Sequence, residues 1–94
     1  MPRYMAERTI PDGLAIPNNQ HGRDTTAKVA AKNAEVGVTW VHSYVTTDDR
    51  KTYRIHDGPN EDAIRAAAER NGLPVDRITP LNVLDPYFYD LQQA

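Results

Sequence analysis

Two runs in the middle of the chain restrict the fold more than anything else in the sequence: Val38-Thr39-Trp40-Val41-His42-Ser43-Tyr44-Val45 and Lys51-Thr52-Tyr53-Arg54-Ile55-His56-Asp57. Both are rich in β-branched and aromatic residues, and the segment Thr46-Thr47-Asp48-Asp49-Arg50 between them is short and polar. They read as a β-hairpin. Side chains alternate across a strand, so Trp40, His42 and Tyr44 are expected on one face of the first run. Thr39, Val41, Ser43 and Val45 fall on the other. The hairpin holds the only Trp, two of the five Tyr and two of the three His, which makes it the first place to look for chemistry.

The flanking segments determine what the hairpin can join. Tyr4 to Ile10 reads as a strand, stopped by the turn cluster Pro11-Asp12-Gly13, and Leu14 to Gln20 as an irregular connection. From about Gly22 to Glu35 alanines recur at 27, 30, 31 and 34, the spacing of one helical face, with Gly37 placed to close the helix. After Asp57-Gly58-Pro59, Asn60 is suited to cap a second helix, with Glu61 and Asp62 in its first turn. Ala63, Ile64, Ala67 and Ala68 mark its inner face, and Asn71-Gly72 followed by Pro74 ends it. Ile78 to Leu84 makes a last strand before Asp85-Pro86. The order β-α-β-β-α-β is that of the ferredoxin-like α+β fold, a four-stranded antiparallel sheet with two helices on one face.

That order leaves the other sheet face bare. The helices offer almost only alanine, while all seven aromatics (Tyr4, Trp40, Tyr44, Tyr53, Tyr87, Phe88, Tyr89) lie outside them. A bare face carrying such rings would expose several hundred Å² of apolar surface, which marks an interface. A homodimer with sheets packed face to face, a dimeric α/β barrel, is the expected assembly. The aromatic tail Tyr87-Phe88-Tyr89 would complete that interface or grip another partner.

Ninety-four residues make a single domain, 1–94, and a chain of that size buries only roughly 60–65% of its unfolded surface. No cysteine is present, which rules out disulfides, thiolate metal ligands and Cys nucleophiles and suits a cytoplasmic location. The polar start Met1-Pro2-Arg3-Tyr4-Met5-Ala6-Glu7-Arg8 lacks the apolar segment of a signal peptide, and no run is long enough to span a membrane. Net charge is -2 and neither half has a basic stripe, so nucleic acid is not an expected partner.

His42, on the hairpin between aromatics, is the leading candidate for a site. Its relation to His56 depends on register: a two- or four-residue loop sets His42 against Ile55 with His56 turned away, whereas a three-residue loop brings both onto one face, within reach of one metal. Glu7, sharing a face with Arg3 and Met5, is a further oxygen donor. Imidazole suits nickel, copper or zinc. His21, before the first helix in a polar stretch, reads as solvated. Phosphate loops, nucleophile elbows and H-E-x-x-H pairs are absent. Ser43 next to His42 points to the opposite face and forms no dyad. A Glu7–His42 acid–base pair, acting on a small organic ligand enclosed by a dimeric barrel, is the alternative chemistry.

Three stretches resemble one family over nearly the whole chain: Arg3-Tyr4, Glu7-Arg8 and Pro11-x-Gly13-Leu14-x-Ile16-Pro17; Asn33-Ala34-Glu35-x-Gly37 through Val45; and Asn71-Gly72-Leu73-Pro74-Val75-Asp76-Arg77-Ile78-Thr79 with Val83-Leu84-Asp85-Pro86-Tyr87-Phe88-Tyr89. The family comprises small bacterial proteins, common in actinobacteria, formally a domain of unknown function that includes a nickel-binding protein of ferredoxin-like fold. The resemblance implies nickel, or another divalent transition metal, as cofactor, in buffering, storage or sensing rather than turnover. The chain departs from the family at two places. The third strand of relatives often reads Phe-Cys-Val-Tyr-Asp where this chain has Tyr53-Arg54-Ile55-His56-Asp57, and a first-helix Cys is replaced within Asp24-Thr25-Thr26. Of the expected metal ligands His42, His56 and Glu7, the resemblance carries over only His42 as a candidate ligand.

Overall fold

Strand β1 (Arg3–Thr9) lies at the centre of the sheet, between β3 (Lys51–Asp57) and the edge strand β4 (Arg77–Leu81). The other edge is β2 (Thr39–Val45), and every neighbouring pair is antiparallel, in the order β2-β3-β1-β4. Helices α1 (Gln20–Ala34) and α2 (Glu61–Arg70) complete the βαββαβ sequence. This is the ferredoxin-like α+β arrangement expected from the order of elements. The computed structural model describes residues 1–14 and 20–87, side chains of Gln20 and His21 excepted. Most of the connection expected from Leu14 to Gln20, and Phe88 and Tyr89 of the aromatic tail, lie outside the described residues.

Both helices end in the same way, and their sequences explain it. Gly37 (φ +74°) and Gly72 (φ +64°) occupy left-handed backbone where a side chain is disfavoured. At each end the glycine N–H bonds a carbonyl three residues back (Ala34, Glu69) and the following N–H bonds one five residues back (Asn33, Ala68). This is the Schellman closure. At the start of α2 the Asn60 side chain accepts from the Ala63 N–H at 2.9 Å, the expected cap.

The two helices meet the sheet differently. α2 buries Ile64, Ala67 and Ala68, as its spacing indicates, against Ala6, Val38 and Ile78. α1 does not use its alanines: Ala27, Ala30, Ala31 and Ala34 are exposed, while Gly22 and Asn33 are buried and Thr25, Thr26 and Val29 half-buried. The helical spacing holds, but the alanine face is the one turned to solvent. An alanine stripe gains little from burial, so the larger Val29 decides which side of the helix faces inward, and Val36 packs just beyond its end.

Two strands also differ from expectation. β4 stops at Leu81 rather than Leu84; Asp85 then accepts from the Tyr87 N–H, and Val83, Leu84 and Tyr87 are exposed. Pro80 lies within β4, opposite Tyr4, where an edge strand tolerates its missing N–H. In β2 the register shifts between Trp40 and His42, leaving Val41 as the extra residue of a bulge.

Candidate functional site

That bulge decides what the hairpin presents. From Val45↔Thr52 to His42↔Ile55 the strands pair in one register, set by the four residues between Thr46 and Lys51. Asp49 takes φ +60° in this turn, and the Asp48 carboxylate accepts from the Thr46 hydroxyl and the Arg50 N–H. Beyond Val41 the register slips by one, so Trp40 pairs with His56 and turns to the helix side. The expected single face of Trp40, His42 and Tyr44 is therefore split. Trp40 and Ser43 face the helices, the indole N–H donating to the Ser43 hydroxyl at 2.9 Å. His42 and Tyr44 face the uncovered side, their rings edge to face at 5.1 Å.

The uncovered face carries Arg3, Met5 and Glu7 from β1, and Lys51, Tyr53, Ile55 and Asp57 from β3. Its charges are paired. Arg3 donates twice to Asp57, at 2.7 and 3.0 Å, which holds the Asp57 carboxyl below its usual range and raises the Arg3 guanidinium. The Lys51 ammonium sits 5.4 Å from the Tyr53 ring centre and 3.5 Å from the Glu7 carboxylate, and is raised first by Tyr53 and then by Glu7. Tyr44 is 62% exposed and His42 is also open to solvent.

The covered face of β3 is the opposite in character. Thr52, Arg54 and His56 are all buried, and Thr52 Oγ1, Arg54 Nε and His56 Nδ1 find no hydrogen-bond partner among the described residues. Burial, reinforced by the adjacent Arg54 charge and only partly offset by Asp57, pushes His56 down to about 4. Arg54 is lowered to about 10 by burial and by the Arg8 charge, and so stays cationic at neutral pH.

The three expected ligands are thus not brought together. His42 and His56 lie on opposite faces, the outcome of a four-residue loop. Glu7 shares the uncovered face with His42 but stands opposite Tyr53 on β1, with β3 between them, and is held by Lys51. A cation at His56 would sit beside the Arg54 guanidinium. His21 belongs to α1 rather than a loop, and its side chain is outside the described residues. Among the described residues, no three His, Cys, Asp or Glu are grouped to hold a metal. No described helix is long and apolar enough to cross a membrane. From sequence, the strand arginines Arg3, Arg8 and Arg54 could hold an anionic ligand, though such arginines on sheet edges are more often solvated or paired to acids. The structure pairs Arg3 with Asp57 and buries Arg54, whose alternation with Thr52 and His56 on one side of β3 is the signal for it.

Fold and site define a small α+β protein with a ferredoxin-like sheet, one face covered by helices and the other presenting an imidazole and tyrosines. The chain belongs to the SCO4226-like family of nickel responsive proteins, whose profile matches residues 4–81. The crystal structure of SCO4226 from Streptomyces coelicolor A3(2) has the same fold, with a TM-score of 0.68 and 16% sequence identity over 88% of this chain and 99% of that one. No curated protein matches the chain significantly.

Proposed function

We propose that this chain binds a divalent transition metal, nickel foremost, as a homodimer formed through its uncovered sheet face, with His42 as the primary ligand. The placement of His42 carries this reading: it is an imidazole held on a strand, open to solvent, on the one sheet face that no helix covers. Membership of a nickel responsive family supports the choice of metal. One chain gathers too few donors among its described residues, so the coordination sphere would draw on His42 of a second copy. Glu7 could join on release from Lys51, and His56 is the weakest of the three because it is buried beside Arg54. Tyr44 and Tyr53, cross-strand partners on that face, supply apolar area for the interface, and exposed Val83, Leu84 and Tyr87 extend it. The role is buffering, storage or sensing, and the cysteine-free composition accords with a cytoplasmic location.

Isothermal titration of Ni²⁺, Zn²⁺ and Cu²⁺ into tag-free protein, paired with sedimentation velocity, tests both halves. A dimer taking up about one ion per two chains is expected, with binding lost in His42→Ala and weakened as pH falls through the histidine range. Binding unchanged in His42→Ala, or no uptake of any of the three ions, would remove the metal reading. A monomer at all concentrations would remove the dimer.

A further inference from the structure

A cavity of about 380 Å³ lies on the covered side of the sheet, away from His42. Its walls are mostly apolar, from Leu14, Val29, Trp40 and Leu73. Five polar side chains also line it: Thr25 of α1, Ser43 of β2, whose hydroxyl accepts from the Trp40 indole, and Arg8 of β1 with Thr52 and Arg54 of β3. Arg8, Thr52 and Arg54 rise from the same sheet face, because Arg8 pairs with Thr52 and the neighbouring helix-side pair is Ala6 with Arg54. The loop that bounds one end of the cavity is tied to the hairpin turn: the Ile10 N–H bonds the Arg50 carbonyl, the Leu14 N–H bonds the Asp49 carbonyl, and the Arg50 guanidinium donates to Pro11.

The Arg54 charge at this cavity has no ion-pair partner among the described residues. Arg54 is only 8% exposed, yet every ion pair among the described residues involves a different cation: Arg3, Lys51, Arg65 or Arg70. Its Nε and the Thr52 hydroxyl are both buried and have no partner among the described residues, and both residues line the cavity. A second guanidinium, Arg8, adds like charge. Folded chains rarely bury a guanidinium without an anion, because desolvation then goes unrepaid. Here two fixed cations and a hydroxyl point toward a space large enough for a small ligand, at the low end of ligand-pocket volumes. Guanidiniums donate only, and the group that accepts without donating is an ionised acid.

We propose that this cavity binds a small organic acid with an apolar body, its carboxylate held by Arg54, Arg8 and Thr52 and its body packed against Trp40, Val29 and Leu73. The two guanidiniums repel metal cations, so this site is separate from the one proposed at His42. The apolar walls favour a carboxylic acid over inorganic phosphate, which would leave them facing water.

Trp40 is the only tryptophan of the chain and forms part of the wall, so its fluorescence reports on occupancy directly. Titration with phenylacetate, indole-3-acetate and hexanoate is expected to give a saturable change for at least one of them. Its neutral amide, acetate and inorganic phosphate should each bind roughly tenfold to a hundredfold more weakly, the weight of a charge-assisted contact or of the apolar body. Arg54→Met should weaken the acid by a similar factor with no loss of thermal stability. Arg8→Met gives the same test by a shorter route if Arg54→Met fails to fold. The proposal is overturned if none of the three acids changes the fluorescence, if acid and amide bind equally, if acetate or phosphate binds as well as the acid, or if the folded arginine variants bind like wild type.

Discussion

On the uncovered face of the sheet Arg3 meets Asp57 through two hydrogen bonds and Lys51 meets Glu7, while on the covered face Arg54, His56 and Thr52 lie buried with polar atoms that meet nothing among the described residues. Strand β3 sorts its side chains against the usual rule. Tyr53 and Ile55 point away from the helices and Arg54 and His56 point toward them. A domain stable by itself would place these the other way round. The contrast teaches that the two faces solve their electrostatics differently, by ion pairs on the open face and, among the described residues, without them on the covered one.

The strongest way to break that contrast is acidification, because His56 belongs to the covered face alone. Its folded value of about 4 lies below the ordinary 6.5, so the unfolded chain takes up the proton first as pH falls. Stability is whole above the unfolded value, declines from about 6.5 down to about 4, and levels off beneath that. Urea unfolding should therefore lose about 2 kcal/mol between roughly pH 7.5 and pH 5. His56→Gln should flatten the slope. An unchanged slope in that variant would mean that another group carries it.

A smaller effect of opposite sign is expected from Arg54→Met. Removing a buried, unpaired cation while keeping an apolar stem should raise stability by about 1–2 kcal/mol, read as a higher urea midpoint at neutral pH. A fall would indicate that the guanidinium has a counter-charge in the folded chain. The smallest change is expected on the other face. Asp57→Asn removes a charge already paired with Arg3 and should cost about 0.5–1 kcal/mol. Deleting a charge thus helps on the covered face and harms on the uncovered one, and equal signs for the two variants would erase the distinction.

Much of this was legible in the residues. Asn60, Gly37 and Gly72 act at helix ends, where one side chain or one left-handed glycine satisfies a known backbone group, so local chemistry and final structure agree. The α2 face was legible because Ile64 breaks the symmetry of its alanines. On α1 four alanines form a regular stripe, but a stripe without bulk does not commit a helix to a side, and Val29 overrides it. The bulge at Val41 was invisible, since an extra residue in a strand leaves composition unchanged while reversing every side chain before it. That one residue took Trp40 from the company of His42 to the wall of the helix-side cavity, and with it the plan of both candidate sites. The separation of His42 from His56 was foreseeable only as one of two registers, because the polar turn does not announce its own length.

The same bulge has a consequence for how copies of the chain can meet. Among the described residues the sheet has two unpaired margins, and each is interrupted: β4 by Pro80, which brings no N–H, and β2 by Val41, which puts a kink in its ladder. Neither offers the unbroken row of donors and acceptors onto which another chain could add strand by strand. Ribbon-like growth, which has no natural end, is thereby discouraged at the level of the backbone. Contact through the flat of the sheet is left open, and a two-fold pairing of that kind is finished once two copies have met.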